Sequence, residues 1–197
     1  MATRIVVSNT TPLIALAWLQ RLDLLPALFS AVQIPEAVRN EIKSKPQAIG
    51  VAELEASDWL IVTPVTNPLA VELLLDQLDL GESQAIVLAH ELHADLLLMD
   101  ERRGRRRALQ SGLTVVGTLG ILIEAHEQNL VGPLRPMLDL LRKMPFHMSE
   151  SLYSEVLSRC LLYTSQEAGP PARRRGCAGP TTHIGSGRSG NKIGGSP

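Results

Sequence analysis

The sequence predicts an α/β fold, a sandwich of helices around a parallel sheet, and three observations carry that prediction. Short β-branched or apolar runs alternate with helical patterns through residues 1–159, the spacing of strand–helix–strand units. The run from Asp95 to Met99 is apolar without alternation, as in a strand covered on both faces. Hydrophobic residues make up 45% of the 197 and aromatics only 3%, so the core is one of Leu, Val, Ile and Ala.

Ile5-Val6-Val7 reads as a first strand. It delivers Ser8-Asn9-Thr10-Thr11-Pro12, a set of capping residues with Pro in the first turn of a helix. Two short helices follow, Leu13 to Trp18 and Leu22 to Phe29, whose leucines suit either core or a dimer surface. Ala31 to Ile34 is a second strand, and Pro35 opens a helix through Ile42 with Val38 and Ile42 on one face and Glu41 beside it. Lys43 to Gly50 breaks the pattern. Trp59 to Val65 is a strand that Pro64 confines to a sheet edge. A helix is expected near Leu69 to Leu78, then a strong one from Gly81-Glu82-Ser83 with Ala85, Ile86, Leu88, Ala89 and Leu92 on its apolar face. After the strand ending at Asp100 come a basic helix, Glu101 to Gln110, a strand, Leu113 to Val116, and a helix from Thr118 to about Gln128. Helices near Pro133 to Lys143 and Ser149 to Arg159 close the domain.

Charge divides the chain at the same place. Residues 1–159 carry 14 Lys+Arg against 19 Asp+Glu, whereas residues 160–197 carry 5 against 1. Both cysteines, Cys160 and Cys177, lie in that second segment, so the body shows no disulfide framework or thiolate zinc site. Residues 160–197 are rich in Gly, Pro, Ser and Arg without apolar period, and are expected to be a disordered basic tail. Cys160 to Ser165 also reads like the translation of a transposon end used to build sequencing libraries. The tail is therefore expected not to be native coding, and Arg173-Arg174-Arg175 is given no role. No apolar run nears the roughly 18 residues that span a bilayer, and no secretory signal is evident, so a cytoplasmic protein is expected. Scarce aromatics argue against an RNA reader of the base-stacking kind.

The polar residues at strand ends carry the chemistry. Asn9 ends the first strand, Asp100 ends the fourth, Glu41 lies on the helix after the second, and Glu82 opens a helix. Ligands of open parallel sheets bind beyond the carboxyl ends of the strands, where these four would converge. Carboxylates gathered there repel by about 1 kcal/mol per pair at 4 Å in water and about 4 at an effective dielectric of 20. A cation relieves that repulsion, and an all-oxygen set suits Mg²⁺ or Mn²⁺, the ions of phosphodiester cleavage. Against this, a Glu in a first turn needs no explanation beyond the helix dipole.

Five segments taken together resemble a known family. Ile5 to Ile14, Pro35 to Ile42, Leu80-Gly81-Glu82-Ser83-Gln84-Ala85-Ile86, Leu98-Met99-Asp100-Glu101 to Gly104-Arg105, and Val116-Gly117-Thr118-Leu119-Gly120 match, in order and spacing, the PIN-domain proteins. The resemblance covers about residues 4–159 and is nearest to a prokaryotic branch close to the VapC-like toxins. It implies a three-layer α/β/α sandwich around a parallel sheet and a metal-dependent ribonuclease acting on single-stranded RNA. Carried over by position, Asn9, Glu41, Glu82 and Asp100 hold Mg²⁺ or Mn²⁺, with Glu41, Glu82 and Asp100 catalytic. Glu101 is a further ligand or holds a water of the ion, and Thr10 and Thr118 support the site. A small antitoxin protein and a homodimer are the partners implied besides RNA. The family usually has Asp where this chain has Asn9, which coordinates through a neutral oxygen and cannot act as a base. The alternative reading is thus a weak or inactive PIN-like module that binds RNA or a protein.

Arg102-Arg103-Gly104-Arg105-Arg106-Arg107 places five arginines directly after Asp100-Glu101. Arg102 and Arg105 are expected to bind RNA phosphate, Arg105 because it matches a basic position of the family motif. The other reading is a solvated helix face. His90-Glu91-Leu92-His93 is not the H-E-x-x-H zinc pattern, and Gly117 to Gly120 lacks the full dinucleotide fingerprint, so a helix cap is expected there.

Overall fold

Five strands, all parallel, lie in the order β3-β2-β1-β4-β5. The computed structural model describes residues 4–44, 47–143, 153, 154 and 156–158, all within the unit Met1–Glu167. In chain order the elements are β1 (Val6–Ser8), α1 (Thr10–Trp18), α2 (Leu24–Phe29), β2 (Val32–Ile34), α3 (Glu36–Lys43), α4 (Val51–Ala56), β3 (Leu60–Val62), α5 (Pro68–Glu72), α6 (Leu80–Glu91), β4 (Leu96–Leu98), α7 (Arg102–Gln110), β5 (Val115–Val116), α8 (Thr118–Glu127) and α9 (Arg135–Leu141).

Period-two alternation divides the core into two layers. Val6, Leu96 and Leu98 face a cluster built from α1, α2, α8 and α9, while Val7, Leu97 and Met99 face α6 and Ala108 of α7. Register is set by the pairs Val6 with Leu96, Val7 with Leu97 and Ser8 with Leu98. The fold is the expected α/β/α sandwich. Because β1 and β4 are central, their residues are buried on both faces, which is why both read as continuous apolar runs. The edge position expected for the Trp59 to Val65 segment is that of β3, although only Leu60–Val62 pair. Leu13, Leu16, Leu22, Leu24 and Leu25 are each at most 2% exposed, so these leucines are core and not a dimer surface.

Several boundaries differ from expectation. The helix expected over 69–78 stops at Glu72 with Val71 buried, and residues 73–79 run as turns that bury Leu78 but leave Leu73 exposed. Helix α4 has no expected counterpart; Val51 and Leu54 are its only two buried residues, too few for a visible period. The helix expected over 133–143 is Arg135–Leu141. That over 149–159 lies largely outside the described residues, of which 153, 154 and 156–158 are helical. The tail from residue 160 lies outside them altogether. No helix among the described residues is long and apolar enough to cross a membrane.

Leu97 sits at the centre of this scaffold, fully buried and paired with both Val7 and Val115. Leu97→Ala is expected to lower unfolding free energy by roughly 2–5 kcal/mol in a urea titration, the cost of the lost burial plus the cavity left behind.

Candidate active site

The sheet order reverses between β1 and β4, and that switch point opens the crevice where open parallel sheets bind ligands. Asn9 follows β1 directly, its amide extending the ladder to the Leu98 carbonyl at 2.9 Å. Asp100 and Glu101 follow β4. Two strand ends therefore bring residues 9 and 101 side by side from opposite halves of the domain.

Asn9 occupies the N-cap of α1 but does not cap it with its side chain. Its Nδ2 instead donates to Glu101 Oε2 at 3.1 Å. With the amide so fixed, Oδ1 is buried without a hydrogen-bond partner, in a residue only 3% exposed. A buried unpaired acceptor costs roughly 1–3 kcal/mol, so this orientation needs a reason. The capping role expected for Ser8-Asn9-Thr10-Thr11 is corrected by where the hydroxyls go. Thr10 Oγ1 donates to Glu41 Oε2 at 2.5 Å, Thr11 Oγ1 donates to Glu101 Oε1, and Ser8 Oγ donates to the Asn9 carbonyl. The first turn of α1 thus holds two carboxylates in place.

Gly81 marks the point on which three oxygens close. A Cβ built there would lie 3.3 Å from Asn9 Oδ1, 3.4 Å from Asp79 Oδ1 and 3.4 Å from Glu41 Oε2. Glu41 and Asp79 are exposed, so the cradle is buried on the Asn9 side and open on the other.

Glu82 is 6% exposed and closes a capping box on α6: Asp79 Oδ1 accepts from the Glu82 amide at 2.7 Å and Glu82 Oε2 from the Asp79 amide at 3.2 Å. Its Oε1 would stand 3.0 Å from a Cβ on Gly104, so α7 packs closely over it. Burial pushes the Glu82 carboxyl up to about 7; the Asp79 amide opposes that rise and the neighbouring Asp79 and Glu101 charges add to it. Asp100 is half-buried and bound by α8, with Oδ1 accepting from the Thr118 amide at 2.8 Å and Oδ2 from Thr118 Oγ1 at 2.6 Å. Burial raises its pKa as well, against those two hydrogen bonds. Asn9, Glu41 and Glu101 are tied into one network through Thr10 and Thr11, whereas Asp100 is held apart on Thr118. Among the described residues, no three His, Cys, Asp or Glu side chains are gathered closely enough to hold an ion by themselves.

Arg105 donates from Nη1 to the Met99 carbonyl at 2.8 Å, bracing the end of β4 beside Asp100. Arg102, Arg103 and Arg106 are exposed and line, with Asp100, Arg105, Leu109 and Gln110, a groove of about 1000 Å³. The two discounted motifs have structural roles. Glu91 accepts from the Thr66 and Asn67 amides and His90 meets Ser111 Oγ, while Gly117 is the extended residue before α8.

A family model described as PIN domain matches residues 5–161. The chain belongs to the PIN-domain family. No curated protein matches it. PIN domains have a nuclease-type fold and are generally metal-dependent nucleases that use divalent ions. The residues of this PIN domain fit such an ion: the orphaned Asn9 oxygen, aimed at the Gly81 cradle beside two carboxylates, is an all-oxygen donor set of the kind hard cations take. Sequence reasoning missed Asp79, Thr11 and Gly81. The Asp79 and Glu82 capping-box spacing was available as a signal; the direction of the Thr11 hydroxyl was not.

Glu82 gives the metal-free protein a pH dependence of defined sign. Between its ordinary 4.5 and about 7, the folded protein holds a proton that the unfolded chain has lost, so stability falls as pH rises through that window. In EDTA, the melting temperature is expected to drop from pH 4.5 to 7, each factor of ten in proton affinity being about 1.4 kcal/mol. Glu82→Gln is expected to flatten the slope, leaving the share of Asp100, which has the same sign.

Proposed function

We propose that this PIN domain is a ribonuclease that hydrolyses phosphodiester bonds of single-stranded RNA with Mg²⁺ or Mn²⁺. The observation that carries the reading is the buried, partnerless Oδ1 of Asn9, which borders the Gly81 cradle together with Glu41 Oε2 near the switch point of the sheet. The family likeness assigns the metal to Asn9, Glu41, Glu82, Asp100 and Glu101, and of these Asn9 Oδ1 and Glu41 Oε2 border the same cradle. A bound divalent ion supplies polarisation of the phosphoryl oxygen and activation of water.

The chain's own residues do the rest. Thr10 and Thr11 hold Glu41 and Glu101 so that their carboxylates are in place before substrate arrives, which removes a reorganisation cost from the reaction. Thr118 fixes Asp100 through both oxygens, each of which keeps a further lone pair. Arg102, Arg103 and Arg106 supply the groove with positive charge beside the acidic crevice, and among the described residues none of them forms an ion pair. Arg105 braces the strand end and also lines that groove. Such a groove recognises a phosphate backbone without reading its bases. The toxin role, with a small antitoxin protein as partner and a cytoplasmic site of action, extends this reading on the strength of the sequence likeness.

Purified protein is expected to cleave a single-stranded RNA with Mn²⁺ and to stop in EDTA. Glu41→Gln and Asp100→Asn are each expected to lower kcat by about 10²-fold or more, the scale of losing one preorganised charge at a reacting centre. Cleavage that persists in EDTA overturns the assignment. Binding is tested separately in EDTA by fluorescence anisotropy of a labelled RNA. Arg103→Glu with Arg106→Glu is expected to weaken it and to reduce the slope of log K against log salt by about 0.7 for each phosphate no longer neutralised.

A further inference from the structure

Helix α6 has a glycine in its first turn with no backbone reason to be there. Gly81 is not among the described glycines with positive φ, Gly50 and Gly112, and glycine in a helix costs about 0.5–1 kcal/mol relative to alanine. What Gly81 provides is space, and the three oxygens around that space include one carboxylate, Asp79, that lies outside the segments carrying the family resemblance. Asp79 Oδ1 stands 3.4 Å from the vacant Cβ position, as does Glu41 Oε2, with Asn9 Oδ1 at 3.3 Å.

Capping accounts for part of Asp79. Its Oδ1 accepts from the Glu82 amide at 2.7 Å, and any N-cap Asp would do so. Capping does not account for Asn9, a residue on another element, 3% exposed, whose only unpaired polar atom is turned onto the same point. Two of the three oxygens already accept a hydrogen bond, Glu41 Oε2 from Thr10 Oγ1 and Asp79 Oδ1 from the Glu82 amide, whereas Asn9 Oδ1 has none; two carboxylates and an orphaned acceptor bordering one space are what a cation satisfies. The positive end of the α6 dipole disfavours a cation there unless carboxylates outweigh it. Glu41 alone brings one negative charge, and Asn9 brings none.

We propose that Asp79 is a further metal-site residue of this chain, supplying at the Gly81 cradle the negative charge that Asn9 lacks, and that Gly81 keeps the cradle open. The proposal rests on the metal-dependent reading above and adds to it a further coordinating residue and a required vacancy. One carboxylate from the loop before α6 and one from α3 then share the ion's charge, with the amide oxygen as the neutral third donor.

The test is a Mn²⁺ titration of the full chain without RNA, by calorimetry and by the rise in melting temperature over an EDTA reference. Asn caps a helix as well as Asp does, so Asp79→Asn is expected to leave the EDTA melting temperature unchanged and to weaken Mn²⁺ binding at least about tenfold. Gly81→Ala sets a better helix former against a 3.3 Å contact with Asn9 Oδ1, so its EDTA melting temperature is measured as the reference, and it is expected to abolish the Mn²⁺-induced rise above that reference. If Asp79→Asn and Gly81→Ala both bind Mn²⁺ as the parent does while Glu41→Gln does not, Asp79 only caps, the proposal falls and the metal reading stands. If the parent protein itself gains no stability from Mn²⁺ and releases no heat, the metal reading falls and takes this proposal with it.

Discussion

The hydrogen bond from the Asn9 amide to Glu101 is the constraint from which the crevice follows. It joins the residues that follow the two central strands, so it is available only once β1 and β4 are paired in register. Fixing the NH₂ end also fixes the carbonyl end. The unpaired oxygen is therefore a consequence of pairing elsewhere, and the structure accepts its desolvation cost at the one place where the sheet order reverses. Buried polar atoms left unsatisfied are uncommon enough in folded proteins that such a site is a candidate for function before any family is considered.

Stability and chemistry make opposite demands on α6. Eight of its twelve residues are buried, and one of them is Glu82, whose carboxyl is pushed toward neutrality by that burial. A capping box that ends in a buried acid stabilises the helix start and at the same time sets a carboxyl at the crevice wall. The close approach of Gly104 to Glu82 and Met99 shows the other side of this arrangement, because α7 reaches that wall only through a residue without a side chain. Arginines then flank the glycine on the exposed surface of α7, which gives one short helix a packing face and a charged face.

Much of this was legible in the residues. The apolar runs of β1 and β4 and the polar residues closing them identified the central strands and the crevice, since both follow from burial and from strand direction alone. Pro64 correctly confined its segment to an edge. What escaped was set by tertiary packing. Helix α4 has too few buried residues to show a period, and Val71, Leu74 and Leu78 keep a helical spacing of apolar residues toward the core although the chain there runs as turns after Glu72. Thr10 and Thr11 read as caps because threonine at a helix start usually is one, and only the position of Glu41 and Glu101 across the crevice redirects them. Arg105 read as a phosphate ligand; its guanidinium also braces the Met99 carbonyl, a second role that no spacing announces.

The neutral residue at position 9 is best understood through its two ends. A carboxylate there would face Glu101 with a second carboxylate and lose the donor that now ties the strands' ends together, exchanging an attraction for a repulsion of a few kcal/mol at partly buried separation. Asparagine keeps one donor for Glu101 and one acceptor for the cradle, which aspartate cannot do. The charge that asparagine omits then has to come from an element that does not touch Glu101. The residue before α6 meets that condition, because its side chain is already held at the cradle by the amide of Glu82 and so contributes charge at little additional ordering cost. On this reading the amide is part of how the crevice is held together, and a ligand set with fewer charges on β1 is compatible with one that has more of them on the opposite wall.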